Sequence, residues 1–110
     1  MPNVKIFVDE TLFPDRRKPL IGALESVRSM LCRELRVETA ACQFAVVPVI
    51  AMADLPRANV ELQILSRPER TREVLLGVCG HLRDMLESAT QVSVAVRASA
   101  LQAESYVVLR

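Results

Sequence analysis

The first half of the chain is written a second time in the second half. Asn3-Val4-Lys5-Ile6-Phe7-Val8 returns as Asn59-Val60-Glu61-Leu62-Gln63-Ile64, and Pro14-Asp15-Arg16 as Pro68-Glu69-Arg70. Leu20-Ile21-Gly22 returns as Leu75-Leu76-Gly77, and Val27-Arg28-Ser29-Met30-Leu31 as Leu82-Arg83-Asp84-Met85-Leu86. The offset is about 55 residues, half of a 110-residue chain. Each half must therefore adopt the same supersecondary unit, and the two units must share a core, because neither buries enough apolar surface alone. The repeat breaks where the first strand begins. Pro2 stands at a position the second copy fills with Ala58. A proline at a mature N-terminus is a secondary amine, and a secondary amine can act as a base.

The repeated unit reads as β-α-β. Residues 3–8 alternate and are rich in Val, Ile and Phe, the pattern of a strand. Thr11 to Asp15 reads as a turn. Over 16–35, Leu20, Leu24, Val27, Leu31 and Leu35 recur at steps of three or four and form one helical face, with the helix beginning close to Pro19. Residues 42–49 read as a strand ended or edged by Pro48. In the second copy, 59–65 is a strand, 69–88 a helix and 91–97 a strand, and Val107-Val108-Leu109 is a candidate short terminal strand. The predicted fold class is α+β: a duplicated β-α-β unit giving a four-stranded mixed sheet with two helices on one face. A single domain is expected over 1–110, with pseudo-repeats 2–49 and 58–97 and a tail 98–110. The other sheet face, to which the apolar 42–49 run contributes, is expected to be covered by self-association.

Composition excludes several functions. The net charge is +1, and the aromatics are Phe7, Phe13, Phe44 and Tyr106, so there is no basic, aromatic-rich stripe for nucleic acid. No apolar run approaches membrane-spanning length and the start has no signal-peptide plan, which makes a cytoplasmic protein the expectation. Cys32, Cys42 and Cys79 have no metal-ligand or disulfide spacing, and Cys32 and Cys79 are expected as buried thiols on helical faces. His81 is the only histidine, so a histidine triad or multi-histidine metal site is hard to build; a solvent-side position is expected. No metal or cofactor is expected.

Both helices open with positive charge: Arg16, Arg17 and Lys18 in the first, Arg67, Arg70 and Arg72 around the second. Cations at a helix N-terminus cost a few tenths of a kcal/mol to about 1 kcal/mol. An anion held jointly by arginine and backbone N–H groups is one reason to place them there; solvation and the neighbouring Asp15, Glu69 and Glu73 are the other. If the two units pair about a pseudo-twofold axis, the end of strand 59–65 lies beside the start of strand 3–8. Arg67 and Arg70 then approach Pro2, while Arg16 and Arg17 fall at the opposite end of the sheet.

With the Met-Pro start, the duplication and Arg67-Pro68, the chain resembles the tautomerase superfamily. Phe44-Ala45-Val46-Val47-Pro48 is similar to the second strand of the macrophage migration inhibitory factor (MIF) group, and Met52-Ala53-Asp54 resembles the carboxymethyl-hydroxymuconate isomerase group. Ile64-Leu65-Ser66-Arg67-Pro68 resembles the malonate semialdehyde decarboxylase group, and Arg67 with Arg70 the arginine pair of the cis-chloroacrylic acid dehalogenase group. The resemblance implies a tautomerase/MIF-like fold, a homotrimer, and a small carboxylate substrate of the 2-keto or 2-hydroxy-enoic class. It implies Pro2 as the catalytic base once Met1 is removed, which the small Pro2 side chain favours. Arg67 and Arg70 would bind substrate, with Gln43 and Tyr106 as further contacts; Tyr106 reads equally as a packed aromatic. The chain departs from the oxalocrotonate-type pattern at Phe13 and Gln43, where that group has arginines. A lyase or hydratase using the same residues, and a non-catalytic oligomeric binding protein, are the alternatives.

Overall fold

The computed structural model describes residues 2–109. β1 (Asn3–Asp9), α1 (Phe13–Leu35), a 3₁₀ turn (Thr39–Ala41) and β2 (Gln43–Val49) form the first unit; β3 (Ala58–Leu65), α2 (Arg72–Thr90) and β4 (Val94–Leu101) form the second. The strand order is β2-β1-β3-β4. β1 pairs with β2 and β3 with β4 in parallel, as each β-α-β unit requires, and β1 meets β3 antiparallel at the centre. The duplication thus folds as a mixed sheet whose two halves run in opposite directions.

The side chains that alternate on β1 and β3 decide which face is covered. Val4, Ile6 and Val8 with Val60, Leu62 and Ile64 are buried, and they meet Leu20, Val27 and Leu31 of α1 and Val78, Leu82 and Leu86 of α2. Each such side chain contributes about 1.5–3 kcal/mol on burial. The open face is more polar than the 42–49 run predicts. Phe44 and Val46 pack against the core, so only alternate residues of β2 face outward. Opposite them the register sets Lys5 against Glu61 and Glu61 against Arg97.

Several element boundaries differ from expectation. α1 begins at Phe13, with Pro14 in its first turn and Pro19 inside it. Pro19 is exposed, so the carbonyl it leaves without an N–H faces water, and buried Leu12 with core-packed Phe13 anchors the extra turn. α2 begins at Arg72 rather than 69 because Thr71 caps it, its side chain accepting from the Val74 N–H at 3.3 Å. It ends on a left-handed Gln91 (φ 60°), and the last strand slides from 91–97 to 94–101. The terminal strand does not form: the chain turns at Gln102–Tyr106 and leaves Val107 77% and Leu109 91% exposed. Cys42 is the buried cysteine, whereas Cys32 and Cys79 are half-buried. His81 is exposed as expected, its Nδ1 2.7 Å from the Glu34 carboxylate of α1. No helix among the described residues is long and apolar enough to cross a membrane.

Candidate functional site

Three chain segments converge where β1 begins. Pro2 is buried, and its carbonyl accepts a hydrogen bond from the Gln43 N–H at 2.9 Å, so the first residue of β2 lies directly beside it. On the other side the antiparallel register matches Asn3 with Gln63, which brings the exit of β3 alongside the same end. β4 finishes there too, because Leu65 pairs with Leu101 and the Ser66 N–H donates to the Leu101 carbonyl at 2.7 Å. The expected removal of Met1 lies outside the described residues.

The segment after β3 explains how an arginine is turned back toward this end. Arg67-Pro68-Glu69-Arg70 makes a tight turn closed by the Arg70 N–H to the Arg67 carbonyl (3.0 Å), with proline at the second position, where its fixed φ is favourable. Arg67 remains exposed at the turn's start, and Arg70, 9% exposed, folds inward. Its Nη1 donates to the Leu65 carbonyl at 2.6 Å. In a trans peptide the C=O and N–H point opposite ways. The Ser66 N–H is directed to β4, so the Leu65 carbonyl, and the guanidinium on it, lie on the β1 side of the strand.

Arg70 is also the least satisfied cation of this region. Its Nε is buried without a hydrogen-bond partner, and among the described residues no carboxylate lies within ion-pair distance. Burial, and next the charge of Arg67, pull its pKa below the usual guanidinium value, with Glu69 acting the other way. A guanidinium stays charged at neutral pH regardless. A desolvated cation with spare donors can receive a carboxylate in charge-assisted hydrogen bonds.

The remaining sequence candidates divide. Gln43 is exposed and lines a cavity of about 350 Å³ with Leu24, Glu25, Arg28, Cys42 and Phe44. Tyr106 is half-buried in the tail that leaves β4 at the Pro2 end, its N–H donating to the Gln102 carbonyl at 3.0 Å. Arg16 belongs to the other end of the molecule, where its Nε and Nη2 donate to the Ala89 carbonyl at 3.2 and 2.9 Å. It meets the negative end of α2, and so has a structural partner that its place at the start of α1 does not reveal. Phe13 packs against the core. The inward fold of Arg70 onto Leu65 is invisible in composition; the Arg67-Pro68 turn is the one local signal for it. Other cavities lie elsewhere. One of about 590 Å³ lies between the helices and includes Glu34, His81 and Asp84; another, about 470 Å³, lies under residues 50–57 on the open sheet face.

No protein-family profile matches the sequence, and no curated protein matches it by sequence. Its structure does have counterparts. A MIF-like protein from Entamoeba histolytica superposes with a TM-score of 0.72 at 11% identity, over 97% of this chain and 94% of that one. A fused 4-OT asymmetric trimer gives a TM-score of 0.75 at 8% identity, covering 96% of this chain and 91% of that chain. N1, a member of the cis-3-chloroacrylic acid dehalogenase family, gives 0.71 at 11% identity, covering 96% and 78%. All three belong to the tautomerase superfamily. With its duplicated β-α-β units, its β2-β1-β3-β4 sheet and its helices on one face, the chain has the tautomerase-superfamily, MIF-like fold.

Proposed function

We propose that this protein is a tautomerase-superfamily isomerase in which the amine of Pro2, freed by removal of Met1, is the general base for small 2-keto or 2-hydroxy-enoic carboxylates. The observation that carries the reading is Arg70: a buried guanidinium with an unpartnered Nε, held on the Leu65 carbonyl on the strand edge that faces β1. In this reading Arg70 and the exposed Arg67 bind the substrate carboxylate and stabilise negative charge as the enolate forms. Pro2 takes a proton, from the carbon beside the carbonyl of a 2-keto acid or from the enol hydroxyl of a 2-hydroxy-enoic acid, and returns it to a carbon of the enolate so formed. A chain amine has a reference pKa of about 7.7–8.0, and desolvation together with two nearby guanidinium groups favours its neutral, basic form. Gln43 donates a hydrogen bond to substrate from β2, and Tyr106 supplies a hydroxyl from the tail.

The same reading makes the protein a cytoplasmic homotrimer. The uncovered sheet face and the exposed apolar tail support association, as does the trimeric state of the fused 4-OT relative. A second reading, a non-catalytic oligomeric binding protein, is favoured by Phe13, which packs into the core where oxalocrotonate-type enzymes have an arginine. Ketonisation of enol-pyruvate and hydroxymuconate compounds by the wild type and by Pro2→Ala separates the two. A rate well above buffer that collapses in Pro2→Ala supports the isomerase. Equal rates, or none above buffer, refute it. Release of carbon dioxide or halide from a test acid would instead point to lyase or hydratase chemistry at the same residues.

A further inference from the structure

The connection between α1 and β2 brings two thiols together. Cys32 lies in the last turn of α1, where its carbonyl accepts the N–H of Arg36 (φ 54°) and of Val37 (3.1 Å) as the helix ends. The 3₁₀ turn then folds the chain back, and the Cys42 N–H donates to the Thr39 carbonyl at 3.1 Å. The result is a Cys32 Sγ to Cys42 Sγ distance of 3.5 Å between residues ten apart in sequence. A disulfide needs about 2.05 Å, so an approach of about 1.5 Å closes the bond. Cys32 is half-buried, and Cys42 lines the cavity of about 350 Å³ beside Gln43. A small oxidant has a route to both.

We propose that Cys32 and Cys42 are a reversible thiol–disulfide pair, closed by peroxide-class oxidants and opened by dithiols, that fastens the end of α1 to the start of β2. The thiolate of Cys32 attacks one peroxide oxygen; the O–O bond breaks, Cys32 becomes a sulfenic acid, and hydroxide leaves and takes a proton as water. The Cys42 sulfur then attacks Cys32 Sγ, the S–O bond breaks, and the Cys42 proton departs with the hydroxide as a second water. Two thiols and one peroxide give one disulfide and two waters, the sulfurs losing the two electrons that the peroxide gains. The order of attack follows exposure. Burial, and then the hydrogen bond with Cys32, push the Cys42 thiol up to about 12, so Cys42 is poor as the first nucleophile; its place 3.5 Å from Cys32 Sγ gives it the resolving role. Gln43, the next residue, holds the Pro2 carbonyl at 2.9 Å, so the crosslink anchors the strand beside Pro2 whether or not Pro2 is catalytic.

The test treats the reduced full-length protein and its Cys79→Ser variant with hydrogen peroxide near neutral pH, followed by intact mass and tryptic mapping without reductant. Arg33 and Arg36 lie between the two cysteines, so trypsin separates them unless they are joined. Both proteins should lose the mass of two hydrogens and yield a linked Cys32–Cys42 peptide that dithiothreitol releases. Two of the three thiols should disappear in the wild type, and the thermal midpoint should rise by roughly 10 °C, as expected for closing a short loop. Cys42→Ser should stop at a dimedone-trappable Cys32 sulfenic acid. Absence of the linked peptide from both proteins overturns the proposal, whether the thiols survive, take up oxygen separately, or form dimers through Cys79.

Discussion

Replacing Arg70 with methionine separates a substrate-binding arginine from a structural clamp. The side chain makes one charge-assisted hydrogen bond, Nη1 to the Leu65 carbonyl at 2.6 Å, and bonds of this type contribute about 1.5–3 kcal/mol. Against it stands the cost of a desolvated guanidinium whose Nε has no partner, of order 1–3 kcal/mol for an unsatisfied buried group. Methionine keeps an unbranched apolar stem in the same space. The two contributions nearly cancel, so folding stability should change by no more than about 1 kcal/mol. Catalysis should not be spared. Losing a charge-assisted contact to a carboxylate costs about 1.5–3 kcal/mol, roughly a ten- to hundred-fold fall in kcat/KM. Urea unfolding and ketonisation kinetics on the same preparation read both effects. A stability loss above about 3 kcal/mol with unchanged kcat/KM would refute the reasoning, because it would make Arg70 a brace for the β3–α2 turn and nothing more.

Pro19→Ala should stabilise the protein by about 1–3 kcal/mol, since it restores an N–H inside α1 at an exposed position; an unchanged or lower urea midpoint would show that the helix already absorbs the proline without cost. The Asp9 carboxylate accepts from Thr11 Oγ1 at 2.5 Å and from the Thr11 N–H at 2.8 Å, and these bonds hold its pKa below the usual carboxylate range. The unfolded chain therefore binds the Asp9 proton more readily than the folded one. Its contribution is complete above the unfolded value of about 3.9 and is lost as pH falls through the depressed folded value. Asp9→Asn should accordingly flatten the acid limb of a urea-midpoint profile below about pH 4, and superimposable acid limbs would contradict this.

The duplication made the fold readable, because a repeated β-α-β pattern leaves few ways to share one core. β1 and β3 alternate cleanly, and Val4, Ile6, Leu62 and Ile64 lie buried where the alternation puts them. Boundaries were less legible where a local signal competes with packing. Pro19 reads as a helix start, yet Leu12 and Phe13 gain enough burial to carry α1 a further turn toward the N-terminus. Val107-Val108-Leu109 has strand composition but follows a turn and pairs with no strand, although β4 ends the sheet with a free edge, and β propensity without a pairing partner makes no strand. At the candidate site, the convergence of Pro2 with the exit of β3 followed from the antiparallel pairing of the halves. The burial of Arg70, its bond to Leu65 and the Cys32–Cys42 approach depend on turn geometry at 67–70 and 36–42, which residue types alone do not specify.

The most direct measurement of the central claim compares two forms of the protein that differ only at the N-terminus. One is shown by intact mass to begin at Pro2; the other carries one extra residue ahead of Pro2, which turns the amine into an amide. Ketonisation by the free-amine form with a rate at least a hundred-fold above the extended form is the predicted result, in line with the ~10²–10⁴-fold contribution of a positioned base. Equal rates in the two forms would contradict the account, because an acylated proline nitrogen has no lone pair to offer a proton.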